Sequence, residues 1–292
     1  MSITDKTITL ADGRTLAYTE HGDLSGTPII FFHGNPGSRL MRHPDESLTE
    51  SLGVRIITPD RPGYGLSSYQ ENRELLMMPD DIQQLVDALE IETFYVMGVS
   101  AGGPYTAATA YALPDRVQAA AIVSGAAPFD RENPYEGVND TYTTAYKMAA
   151  WPSWVLKPML WMQTKSAIND PEKAMQQSLT YLSDADGDLL AQPEFREQVK
   201  GYRPEATRNG VDGIVREAKI LVSSWGFDLS AIKVPVHLWY WQDDTLVPQP
   251  MGRYLEKHIP QTIGHFLDGG GHFSIFTHWQ AIIQSLITTE HD

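Results

Sequence analysis

The chain of 292 residues contains no cysteine. A disulfide framework, a thiolate metal site and a cysteine nucleophile are thereby excluded together. Cations are also scarce: 22 Lys and Arg stand against 37 Asp and Glu, a formal charge of −15. A field of that sign repels phosphate backbones and anionic headgroups, so neither nucleic acid nor a membrane surface is an expected partner. No apolar run approaches the ~20 residues that span a bilayer, and "MSITDKTITL" offers no apolar stretch of signal-peptide length. A cytoplasmic protein acting on a small molecule is the expectation. What is present is an apolar share of 42%, enough for a sizeable core, in a length that suits one main domain with an insertion.

Residues 1–128 alternate strand-like and helix-like segments. "KTITL" and "TLAYTE" flank Asp12-Gly13, a hairpin signal, and read as a two-stranded lead-in. Thr27–Phe32, Val54–Thr58, Phe94–Gly98 and Val117–Ser124 are continuous apolar runs of strand length, which suit central strands buried on both faces of a parallel sheet. Between them, "PDDIQQLVDALE" sets Ile82, Leu85, Val86 and Leu89 on one stripe, and the alanine-rich "GGPYTAATAYALP" closes before Pro114. Strands alternating with helices predict an α/β fold, doubly wound around a mostly parallel central sheet. From Phe129 to about Trp225 the rhythm changes to amphipathic helical stretches broken by prolines. It resumes with "VPVHLWYW", a helix around "PMGRYLEKHI", the strand "TIGHFL" and a last helix over "FSIFTHWQAIIQSLI". Residues 1–128 and 226–292 are expected to form the sheet domain, and 129–225 a helical insertion into it.

The stretch "GVSAGG" falls where the run ending at Gly98 meets the alanine-rich helix. A serine nucleophile at Ser100 needs a sharp strand-to-helix turn, and Gly98 and Gly102 supply the tiny neighbours such a turn demands. The spacing does not fit a dinucleotide-binding G-x-G-x-x-G loop. A serine hydroxyl is a weak nucleophile at neutral pH, so a histidine base and an orienting acid must be found elsewhere in the chain. Of nine histidines, His272 in "DGGGHFSIF" lies on a glycine-rich loop at the same end of a parallel sheet as Ser100. His265 and His237 fall in strands, His278 in a helix, and His21, His43, His258 and His291 in polar or terminal segments. Asp243 and Asp244 in "WQDDTLVP" both follow a strand at that end, with Asp130 a rival. The order Ser100, aspartate, His272 is the one associated with this motif. The turn "HGNPG" after the first long strand is placed to aim the backbone N–H of Asn35 at an oxyanion, opposite the N–H of Ala101, with His33 structural.

These segments together resemble the α/β-hydrolase superfamily, in its serine-dependent form with a helical cap. "HGNPGS" resembles its oxyanion turn, "DRPGYGLSS" its glycine-rich loop, "GVSAGG" its nucleophile elbow, and "DDTLVP" and "GGGHF" its acid and base segments. By that likeness the acid is Asp244, four residues before Pro248. "HGNP" also resembles the turn of haloalkane dehalogenases, but those enzymes and the epoxide hydrolases carry an aspartate where this chain has Ser100. The resemblance implies a serine hydrolase of a carboxylic ester or related acyl bond. Proline iminopeptidase, lactonase, carbon–carbon bond hydrolase and a non-enzymatic ligand receptor are alternatives on the same fold.

Trp151, Trp154 and Trp161, with Tyr142, Tyr146, Met148, Met159 and Met162 around them, are expected to line an apolar cavity over Ser100, and on that basis the substrate is expected to be small and largely apolar. Glu132, Glu136 and Asp140 are the carboxylates an aminopeptidase would turn toward a substrate amine. "SDADGD" (183–188) places its glycine differently from a calcium-binding loop and reads as a solvated turn. No other cluster has metal-ligand spacing, so neither a metal nor an organic cofactor is expected.

Overall fold

A computed structural model describes residues 5–289. The chain enters through β1 (Lys6–Thr9), β2 (Thr15–Gly22) and β3 (Thr27–Phe32). Next come α1 (Glu46–Ser51), β4 (Val54–Pro59), α2 (Met78–Ala88), β5 (Phe94–Val99), α3 (Gly102–Ala112) and β6 (Val117–Val123). The helices α4 (Asp140–Ala149), α5 (Ser153–Asn169), α6 (Pro171–Ser178), α7 (Asp184–Ala191), α8 (Pro193–Glu205) and α9 (Asp212–Val222) then follow without an intervening strand. The chain ends through β7 (Val236–Trp241), α10 (Gln249–His258), β8 (Thr262–Leu267) and α11 (Trp279–Ile287). The eight strands form one sheet in the order β1-β2-β4-β3-β5-β6-β7-β8. β1 and β2 pair antiparallel, as do β2 and β4, and every later pair is parallel.

The continuous apolar runs are explained by two cores, one on each face. Along β3, Ile30 and Phe32 join the cluster with Leu85, Tyr105 and Met251, while Ile29 and Phe31 join the opposite cluster with Trp279 and Ile282. Successive side chains point to opposite faces, so a strand covered on both sides has no position left for a polar residue. Parallel pairing also brings the carboxyl ends of β3, β5, β6, β7 and β8 to one edge, and the loops leaving that edge carry the site.

Two expectations change. The last helix starts at Trp279, and residues 273–278 form turns. Phe273 and Phe276 are held edge-on against Phe195 of α8, with centroids at 5.5 and 4.8 Å, and that packing outweighs the local helical pattern. The strand "VPVHLWYW" begins at Val236 because Pro235 has no N–H to give the ladder; its carbonyl instead accepts from Ala120.

Candidate active site

Ser100 sits between the end of β5 and the start of α3 with φ +57°, in the left-handed region. A non-glycine residue there is strained, and its neighbours hold it in place. Its N–H donates to the Val123 carbonyl at 3.0 Å, and its carbonyl accepts from Gly103 and Ala126 at 3.0 and 3.2 Å. A Cβ at Gly98 would run into Thr106 and the Gly102 backbone, and one at Gly102 into the Phe32 carbonyl. The two glycines let strand, helix and turn approach closely enough to present the serine.

His272 follows β8 and is buried. Its Nδ1 lies 2.9 Å from Asp244 Oδ2. Asp244 is itself buried after β7, and its Oδ1 accepts the N–H groups of Leu246 and Val247 at 2.9 and 3.0 Å. Asp243 and Asp130 are exposed. Burial works to lower the His272 pKa, but the charge and hydrogen bond of Asp244 outweigh it, and the imidazole is raised above its ordinary 6.5. A second carboxylate, Asp186 of α7, accepts the His272 N–H at 3.0 Å and the Phe273 N–H at 2.7 Å. "SDADGD" is therefore not a solvated turn. Ser183 caps α7, and Asp186 is buried against the histidine loop. Ser-x-x-Asp is a capping-box spacing, the sequence signal for this helix start.

The "HGNPG" turn lies against the serine: a Cβ on Gly34 would sit 3.5 Å from Ser100 Cβ. The Gly34 carbonyl accepts from Arg61 Nη2 at 3.1 Å and lies 2.8 Å from His33 Nδ1, while Arg61 Nη1 donates to the His33 carbonyl. The Gly34–Asn35 peptide is trans, so its N–H points opposite to its carbonyl, away from Arg61. Tyr64 fixes the Asn35 side chain by donating to its Oδ1 at 3.0 Å. Arg61 is in turn paired at 3.1 Å with Glu217 of α9, which also takes Arg73 at 2.6 Å and the Tyr105 phenol of α3 at 2.9 Å. Among the described residues, no acceptor takes the N–H of Asn35 or of Ala101.

Ser100, Asn35 and His272 all line one cavity of about 50 Å³, together with Pro36, Tyr142, Ser178, Tyr181, Tyr202 and Arg203. Ser100 Oγ makes no hydrogen bond to His272 in this geometry. The tryptophans expected there are elsewhere. Trp151, Trp154 and Trp161 are exposed, Trp154 by 79%, and Met159 packs with Leu156, Val211 and Val215. On α5 the seven-residue spacing of Trp154, Trp161 and Ile168 makes an outer stripe, and Leu156, Met159 and Leu160 make the inner one. Glu132, Glu136 and Asp140 are exposed as well. Among the described residues, no group of three or more His, Asp or Glu is placed to hold a metal ion, and no helix is long and apolar enough to cross a membrane.

A family model described as the alpha/beta hydrolase fold matches residues 27–278. The chain belongs to that family. It is similar to a Bacillus subtilis (strain 168) protein named uncharacterized hydrolase YcgS, 38% identical over 119 residues that make up 41% of this chain and 40% of that one. A hydrolase of 2-hydroxy-6-oxononadienedioate and 2-hydroxy-6-oxononatrienedioate from Cupriavidus pinatubonensis is 23% identical over 97% of this chain and 94% of its own. An esterase structure from Exiguobacterium antarcticum superposes with a TM-score of 0.70 over 98% of both chains at 17% identity, a likeness of fold.

Within this alpha/beta hydrolase, two positioning groups and one cavity arginine escape a reading by motif. Asp186 holds two backbone N–H groups of the histidine loop besides its own cap Ser183, and Glu217 meets its partners from more than a hundred residues away. Arg203 near the end of α8 has no local signature at all.

Proposed function

We propose that the protein is a serine hydrolase that cleaves a carboxylic ester or related acyl bond of a small substrate through an acyl-enzyme. The observation that carries this reading is the buried 2.9 Å contact between His272 and Asp244, at a cavity that Ser100 enters from its left-handed turn. Ser100 Oγ attacks the carbonyl carbon as His272 Nε2 takes its proton. Asp244 holds the Nδ1–H and stabilises the imidazolium. The N–H groups of Asn35 and Ala101 bind the oxyanion, and His272 returns the proton to the leaving oxygen. A water activated by the same imidazole then releases the acid.

The cavity changes the expected lining. Trp151, Trp154, Met159 and Trp161 lie outside the cavity, so of the aromatic residues expected over Ser100 it is Tyr142 that lines it. Phenols, Ser178 and Arg203 line it beside Met41, Val99, Leu182, Leu246, Phe273 and Ile275. The aminopeptidase alternative has no carboxylate in the lining to receive an amine. Carbon–carbon bond hydrolysis is the second reading, favoured by the Cupriavidus relative that matches over nearly the whole chain. Residues 129–225 act as the cap in either case, and the chemistry needs neither metal nor cofactor.

A fluorophosphonate probe tests the assignment. Labelling of the wild-type chain that disappears in Ser100→Ala is expected, and labelling that persists in Ser100→Ala removes Ser100 as nucleophile. A ligand that raises the melting temperature but is never turned over, with no probe labelling, would favour the receptor alternative.

A further inference from the structure

Among the described residues Arg203 is the sole Lys or Arg lining the cavity, and no Asp or Glu lines it. That is the inverse of the molecule as a whole, in which acids outnumber Lys and Arg by 37 to 22. Arg203 is also unlike the other described arginines. Each of those has a carboxylate or a backbone carbonyl as partner; even Arg131 and Arg216 donate to carbonyls. Arg203 has neither: it hydrogen-bonds the neutral Tyr202 phenol, and its Nε, like those of Arg42, Arg61, Arg73 and Arg131, is buried without a hydrogen-bond acceptor. Its neighbour Glu205 is committed to Arg39 at 2.7 Å and Arg208 at 3.2 Å. The phenols around it are no counter-charge: burial pushes Tyr142, Tyr181 and Tyr202 above the ordinary phenol value, so all three stay neutral.

We propose that Arg203 is an anion subsite of this cavity and that the substrate carries a carboxylate at the end remote from the bond that is cut. The proposal rests on the serine hydrolase reading for that bond. A buried guanidinium nitrogen without an acceptor is costly, and a planar carboxylate matches the guanidinium fork, two parallel N–H groups meeting two oxygens. Neutral phenol hydroxyls in the same lining, from Tyr142 and Tyr181, are further donors to the same anion. One cation balances one negative charge, which suits a carboxylate better than a phosphate dianion. The substrate class is thus a short half-ester or comparable acyl compound with a free carboxylate.

The test compares monomethyl succinate with methyl isocaproate, a neutral isostere in which an isopropyl group replaces the carboxylate. Wild-type protein is expected to favour the half-ester in kcat/KM. Arg203→Met is expected to lower the half-ester to neutral-ester ratio about ten- to a hundredfold, mostly through KM, the size of a lost charged hydrogen bond. Arg203→Lys should restore part of it. An unchanged ratio, or a wild-type preference for the neutral ester, overturns the proposal. Succinate is also expected to raise the melting temperature of Ser100→Ala, and not that of Ser100→Ala with Arg203→Met; a shift with inorganic phosphate and none with succinate overturns the carboxylate. Loss of probe labelling with an Arg203-dependent succinate shift would leave the subsite standing and remove the hydrolase reading. Labelling without any succinate effect would do the reverse.

Discussion

In the proposed mechanism His272 must be neutral to accept the proton of Ser100, and the Asp244 carboxylate raises its pKa above the ordinary 6.5 against the opposing effect of burial. A raised value leaves more imidazolium at any given pH, so activity is lost in acid sooner than with a free imidazole. The profile of kcat/KM is expected to rise along a limb whose midpoint lies above 6.5. Asp244→Asn should move that midpoint down, because burial is then less opposed, and should cut kcat by about a thousandfold or more. A profile flat across the neutral range, or a midpoint unmoved in Asp244→Asn, would contradict the pairing. Asp186 makes a separate prediction. Asp186→Ala strands two buried N–H groups, at roughly 1–3 kcal/mol each, so urea denaturation should show a loss of about 2–6 kcal/mol. Asp186→Asn keeps one carbonyl oxygen and should lose less. Ser100, His272 and Asp244 were legible because their types and their places at strand ends are distinctive. Asp186 was not, because backbone N–H groups carry no residue identity and one of its partners lies 86 positions away.

Among the elements, α9 does more than cover the sheet. Its Glu217 joins Arg61, Arg73 and Tyr105, and Arg61 holds the Gly34 carbonyl, which fixes the plane of the peptide whose N–H, from Asn35, is the proposed oxyanion donor. Breaking a buried ion pair from one side costs about 3–5 kcal/mol, since the remaining charges keep their desolvation without the attraction. Glu217→Gln leaves Arg61 and Arg73 in that state and should destabilise the chain by about that amount in urea. Because the oxyanion is bound mainly in the transition state, kcat should fall more than KM rises. Tyr105→Phe removes one hydrogen bond only, so a loss of about 1–2 kcal/mol is expected. Equal effects of the two variants would show that the phenol, and not the ion pair, carries the link. The strands around this network were readable as apolar runs because both sheet faces are covered. The outward turn of α5 was not readable, since its two stripes are both apolar and tertiary packing, mainly against α9, decides which one is buried.

At the scale of the whole molecule, two electrostatic effects oppose each other below neutrality. With a net charge of −15, self-repulsion predicts that acid should stabilise the chain. Histidine burial predicts the opposite: His21 is lowered to about 3, by burial first and Arg42 second, and His33 is lowered well below its ordinary value. His237, lowered to about 4, and His265 follow the same direction by burial. Below an ordinary histidine value the unfolded chain binds protons that these folded side chains refuse, so stability falls as pH falls. His272, being raised, works the other way, but it is one against four. Most carboxylates stay ionised at about pH 5.5, so self-repulsion is hardly relieved there, while a fully buried neutral histidine costs about 1 kcal/mol between about pH 7.5 and 5.5. The histidines should therefore win, and the urea midpoint should be lower at about pH 5.5 than at about pH 7.5. Both ring nitrogens of His21 are buried and unpartnered, so His21→Leu removes one proton site without breaking a hydrogen bond. It should shrink the stability difference between the two conditions by about 1 kcal/mol. A difference that His21→Leu leaves intact would mean that another group sets the acid limit.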